Sequence, residues 1–69
     1  MAQSSIIANG QSVETQLPCT IEQFIVRQQL LPKSVVVEHN GDAVAPSEFT
    51  QRELRSGDRI EIVRIVAGG

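Results

Sequence analysis

Apolar and polar positions along this chain follow two periods, and the places where the period changes mark the elements. Ser5-Ile6-Ile7-Ala8 and Gln11-Ser12-Val13-Glu14 read as two short strands around Asn9-Gly10. Asn-Gly readily takes the positive φ angles of a type I′ turn, so the chain should open with a hairpin. Leu17-Pro18-Cys19 breaks that pattern. Thr20, with Gln23 three residues later, matches a capping box and predicts a helix start. Ile21, Phe24, Ile25 and Leu31 then fall close to one helical face, which should cover a sheet, and Pro32 should end the helix.

Val35-Val36-Val37-Glu38 is β-branched and strand-like, and Asn40-Gly41 turns it into the short segment Asp42-Ala43-Val44. Pro46-Ser47-Glu48-Phe49 predicts a turn or a single helical turn, and Ser56-Gly57-Asp58 is the last punctuation before a strand from Ile60 to Val66. The order predicts one α+β domain over residues 1–69: a mixed sheet of four to five strands with one main helix across one face. Two hairpins split by a helix place the final strand beside the first, in parallel, at the centre of the sheet.

Alternation slips in that final strand. Ile60 and Ile62 share a face that next meets Arg64, whereas Val63 and Ile65 share the other face with Glu61. Either the strand carries a bulge or it is apolar on both faces. One helix cannot cover both, so an apolar outer patch would be a surface for a partner.

Composition narrows the functions. At 69 residues, 41% apolar and 20% charged, the chain is an ordinary small globular domain, short of the core that a large domain builds. A net charge of −2 with two aromatic residues gives neither the basic field nor the stacking platform of a nucleic-acid binder. No apolar run approaches the roughly 20 residues that span a bilayer, and no secretory signal is seen, so the cytoplasm is expected. One cysteine and one histidine, Cys19 and His39, make neither a disulfide nor a metal site, and no nucleophile has an oriented base to make an enzyme. His39 reads as an exposed strand-end residue. Cys19 sits near a helix N-terminus that could lower its pKa, but a sulfur-relay role is a remote reading.

Val37-Glu38-His39-Asn40-Gly41, Gly57-Asp58-Arg59-Ile60-Glu61-Ile62-Val63 and Val66-Ala67-Gly68-Gly69 occur in an order and spacing that resembles the sulfur carrier proteins of thiamine biosynthesis, over nearly the whole chain. The resemblance implies a ubiquitin-like β-grasp fold. It also implies that the Gly69 carboxylate is adenylated, converted to a thiocarboxylate and used to donate sulfur to a thiazole synthase. A carboxylate is a poor electrophile at neutral pH, so it needs activation, and glycine lets the backbone approach a partner's ATP site most closely. By that resemblance the chain binds no cofactor. ATP and magnesium belong to an E1-like adenylating enzyme (ThiF-like), a persulfide donor supplies sulfur, and a ThiG-like thiazole synthase receives it.

Gly68 and Ala67 would be read by the partners as part of a flexible tail over 67–69. Ala67 stands where the family often has a third glycine, and the same ending occurs in the small subunit of molybdopterin synthase, which stays as an alternative. A ubiquitin-like modifier or binding module is another. Val63 and Ile65 are candidates for partner docking. Arg59 and Arg64 are candidates to flank that surface, although four arginines against three carboxylates from residue 52 onward also fit a plain solvated face. The free protein is expected to be a monomer.

Overall fold

A computed structural model describes residues 4–65. Ala67, Gly68, Gly69 and the tail expected over 67–69 lie outside the described residues. In chain order the elements are β1 (Ser5–Ala8), β2 (Gln11–Glu14), β3 (Cys19–Thr20), α1 (Ile21–Arg27), β4 (Val35–His39), β5 (Asp42–Val44), β6 (Glu53–Leu54) and β7 (Arg59–Arg64), with single 3₁₀ turns at Pro32–Ser34 and Pro46–Glu48.

Both Asn-Gly turns form as their dihedral preferences dictate. Asn9 and Gly10 have φ of 51° and 82°, and Asn40 and Gly41 have φ of 50° and 88°. These are the paired positive values of a turn whose twist matches the flanking strands. β1 pairs antiparallel with β2, with Ile6 opposite Val13, and β4 pairs antiparallel with β5, with Val37 opposite Val44. The two hairpins are joined by β7. It runs parallel to β1 and antiparallel to β4, giving the order β2-β1-β7-β4-β5, so the last strand is central as its position after the hairpins implied.

The helix begins where the capping box placed it. Thr20 Oγ1 accepts from the Gln23 N–H at 3.0 Å and Gln23 Oε1 accepts from the Thr20 N–H at 2.8 Å. The end differs from expectation: α1 stops at Arg27, four residues before Leu31. Gln29 adopts φ of 64°, its N–H bonds to the Val26 carbonyl, and the Leu30 N–H bonds to the Ile25 carbonyl. That bonding pattern is a Schellman ending. Leu30, not Leu31, therefore packs against the core, and Leu31 is exposed.

Ile6, Val35, Val37, Val44 and Ile60 point from the sheet toward Ile21, Phe24 and Ile25 of the helix. Phe49, Leu54 and Cys19 close the far side of the same cluster. β3 and β6 form a second, two-residue ladder, Cys19 opposite Leu54, that ties the helix start to the segment before β7. The amides of Ile21 and Glu22 reach the carbonyls of Arg52 and Phe49, which satisfies donors that a helix start leaves unpaired.

Register answers the question raised by the slipped alternation. β4 and β7 pair without interruption from Val35 opposite Arg64 to His39 opposite Ile60, so there is no bulge. The strand is instead apolar on both faces: Ile60 is 1% exposed, while Val63 is 62% and Ile65 54% exposed.

Candidate functional site

The site is built on β7, because this strand leads into the Ala67-Gly68-Gly69 ending. Directly opposite residues on paired strands share a face. Val36 lies opposite Val63, so these two and Ile65 make an outward apolar strip beside the half-buried Ile7, which lies opposite Arg59. Arg59 thus shares the outer face with Val63 and Ile65. Arg64 has the parity of Ile60 and Ile62, lies opposite Val35, and falls on the helix side of the sheet. Glu38 and Glu61 face each other on the outer side, a like-charge pair across the two strands that make the strip.

Two asparagines grip β7 from opposite sides. Each sits at the first position of its turn, where positive φ swings its own carbonyl out of the ladder. The side chain replaces it. On the β4 side, the Asn40 N–H donates to the Arg59 carbonyl at 2.9 Å and Asn40 Oδ1 accepts from the Arg59 N–H at 2.8 Å. On the β1 side, the Asn9 N–H donates to the Ile60 carbonyl at 3.0 Å. Asn9 Oδ1 then accepts from the Ile62 N–H at 2.8 Å and its Nδ2 donates to the Ile62 carbonyl at 3.1 Å. The Asn9 amide does what the next peptide of a longer β1 would have done.

His39 corrects the expectation of an exposed strand end: it is 6% exposed. Arg52 Nε donates to Nδ1 at 3.0 Å, so Nδ1 is the acceptor and Nε2 carries the proton toward Asp58 Oδ2, 2.8 Å away. Arg52 also reaches Asp42, and Asp58 Oδ2 accepts from the Arg55 N–H at 2.9 Å. Burial alone would raise the Asp58 carboxyl, but the bonds from His39, the Arg55 amide and Asn40 outweigh it and hold the group below the usual carboxylate range. This cluster pins the turn that feeds β7. Its members are fully engaged with one another, which is the signature of an anchor rather than of a base waiting for substrate.

Cys19 also departs from expectation. It is 2% exposed, and burial pushes its thiol up against the pull of Arg27, so the nearby helix start does not yield a thiolate. Sequence reasoning missed Asn9, Arg52 and Asp58 as partners, since their contacts lie 53 residues away for Asn9 and 13 and 19 residues from His39 for the others.

A small mixed sheet with one helix across it, two hairpins outside and the last strand at the centre, is the ubiquitin-like β-grasp. The class is thus a β-grasp domain, with a glycine pair following its central strand in the sequence. Comparison with known proteins makes it particular. Residues 2–69 match the ThiS family. The sulfur carrier protein ThiS of Bacillus subtilis is 36% identical over 62 residues, covering 88% of this chain and 94% of that protein. A thiazole synthase of Paramagnetospirillum magneticum is 28% identical over 64 residues, 93% of this chain but 20% of that protein, so the chain spans one-fifth of that relative. The crystal structure of the thiamine biosynthesis protein ThiS from Geobacter metallireducens superposes with a TM-score of 0.81, 19% identity, and coverage of 94% of this chain and 99% of that one. The chain belongs to the ThiS family, which decides the choice that Ala67 left open in favour of the thiamine carriers.

Among the described residues no helix is long and apolar enough to cross a membrane.

Proposed function

We propose that this chain is the cytoplasmic sulfur carrier of thiazole formation in thiamine biosynthesis, and that it works as a monomer through the carboxylate of Gly69. The observation that carries the reading is that the family match extends through residue 69 and so includes Ala67, Gly68 and Gly69. The thiazole synthase that contains a segment similar to this chain supports the choice of acceptor.

The chemistry follows from the acyl group. An E1-like enzyme joins the Gly69 carboxylate to AMP, using MgATP and releasing pyrophosphate, which turns a poor electrophile into an activated acyl group. The terminal sulfur of a persulfide attacks the carbonyl, AMP leaves, and an acyl disulfide results. A thiolate then cleaves its S–S bond, reducing the acyl sulfur to a thiocarboxylate while the two thiols become a disulfide. The thiocarboxylate is an anionic nucleophile at neutral pH, as thiolates are, and passes its sulfur to thiazole synthase. In this scheme the chain supplies docking and reach, with Gly68 and Ala67 threading the tail, and the partners supply catalysis. Val63, Ile65 and Arg59 form the docking face, and Arg64, on the opposite side of the sheet, is not part of it.

Intact mass after incubation with MgATP, the adenylating enzyme and a persulfide donor tests the reading. Exchange of one oxygen for sulfur is expected, and removal of Gly69 should abolish it while the fold persists. A lysine-linked adduct, or loading of the shortened chain, would overturn it.

A further inference from the structure

Backbone support for β7 is uneven along its length. On the β4 side it continues to the end of the described chain, through Val36 opposite Val63, Val35 opposite Arg64 and a 2.7 Å bond from the Ile65 N–H to the Ser34 carbonyl. On the β1 side, paired residues reach only Ala8 opposite Ile60, because the chain turns at Asn9. Beyond that point the Asn9 amide is the hold on the β1 side that the structure records, with both of its hydrogen bonds on Ile62. Gly69 is the seventh residue after Ile62. Extended, those seven residues span at most about 25 Å, so the point and direction at which β7 leaves the sheet bound where the reactive end can reach.

We propose that Asn9 is a positioning residue for transfer at Gly69: by standing in for a peptide group that β1 lacks, its side chain sets the exit of β7 and the presentation of Val63 and Ile65. This rests on the carrier function proposed above. Asparagine suits the position twice over, since it tolerates the left-handed turn conformation and its amide carries both a donor and an acceptor. Glycine would keep the turn and lose the clamp. Aspartate would keep the acceptor for the Ile62 N–H and lose the donor to its carbonyl. Asn40 provides the internal control, because Asn40→Gly removes an acceptor from Arg59, at the opposite end of the strand.

The test uses the full chain with its adenylating enzyme, following pyrophosphate exchange at varied carrier concentration, and amide hydrogen exchange read residue by residue. One or two hydrogen bonds correspond to roughly a three- to tenfold effect. Asn9→Gly should raise KM for the carrier by about that factor with kcat little changed, and should speed exchange at Ile62 while β4 amides such as Val37 keep their protection. Asn9→Asp should fall between Asn9→Gly and the wild type, and Asn40→Gly should leave exchange at Ile62 unchanged. Wild-type KM in Asn9→Gly, equally fast exchange at Ile62 in Asn40→Gly, or uniform loss of protection through β4 would each overturn the positioning role. Failure of the wild type itself to be adenylated would instead overturn the carrier function, and the role of Asn9 would fall with it.

Discussion

The two faces of β7 contain similar residues under opposite conditions. Ile60 on the inner face is shut away between the helix and the neighbouring strands, while Val63 and Ile65 on the outer face stand more than half exposed. The inner face is what folds the domain. Aliphatic side chains left in water on the outer face add little to stability, and the proposed function gives them a use as a docking face. A 69-residue domain can keep its core and its contact surface on one strand only by using both parities.

Substitution on each face should separate the two roles. The largest effect is expected inside: Ile60→Ala should cost about 2–5 kcal/mol in a denaturant titration, with loading preserved under conditions where the variant is folded. A cost below about 1 kcal/mol would mean that the inner face is not the dominant source of stability.

The margin of the inner face comes next, where Asp58 anchors His39. Asp58→Ala should cost about 1–3 kcal/mol at neutral pH, because the His39 Nε2–H and the Arg55 amide both lose their acceptor. The sign of the pH dependence follows from the lowered carboxyl. Its contribution is fully present above the ordinary carboxylate pKa of about 3.9 and is lost as pH falls through the lower folded value. Wild-type stability should therefore fall with acid in that range more steeply than that of Asp58→Ala. Parallel curves for the two proteins would show that the carboxylate is not the group responsible.

On the outer face, Val63→Ser combined with Ile65→Ser should shift stability by no more than about 1 kcal/mol. The same pair should weaken binding to the adenylating enzyme or to thiazole synthase about tenfold or more, read by calorimetry or by KM. Unchanged affinity for both partners would remove the outer face from the docking surface. The smallest effect belongs to the like-charge pair: Glu61→Gln should stabilise the fold by about 0.2–1 kcal/mol at low salt, with less gain at high salt. A loss of stability at low salt would show that Glu61 has a compensating partner.

Much of this arrangement was legible in the residues. Both Asn-Gly turns and the Thr20–Gln23 capping box are local chemistry, and each formed where its own preferences placed it. The apolar strip could be inferred from the slipped parity of Val63 and Ile65, although choosing between a bulge and a two-faced strand needed the register with β4. The helix end was hidden because Gln29, rather than glycine or asparagine, takes the left-handed position. The β3–β6 ladder is two residues long, too short to show a period. His39 looked exposed because its burial depends on Arg52 and Asp58, partners that only the tertiary fold brings near. Asn9 was read correctly as a turn residue, yet its grip on Ile62 has no local signature.

Cys19 has a consequence beyond packing. In the proposed function, the chain's tip passes through two electrophiles, an acyl adenylate and an acyl disulfide, and a thiolate held within reach would attack either, displacing AMP from the first and exchanging with the S–S bond of the second. The one cysteine in the sequence is 2% exposed, and burial pushes its thiol pKa up. The body of the carrier is chemically silent toward its own cargo, so neither a thioester nor a mixed disulfide with itself competes with delivery.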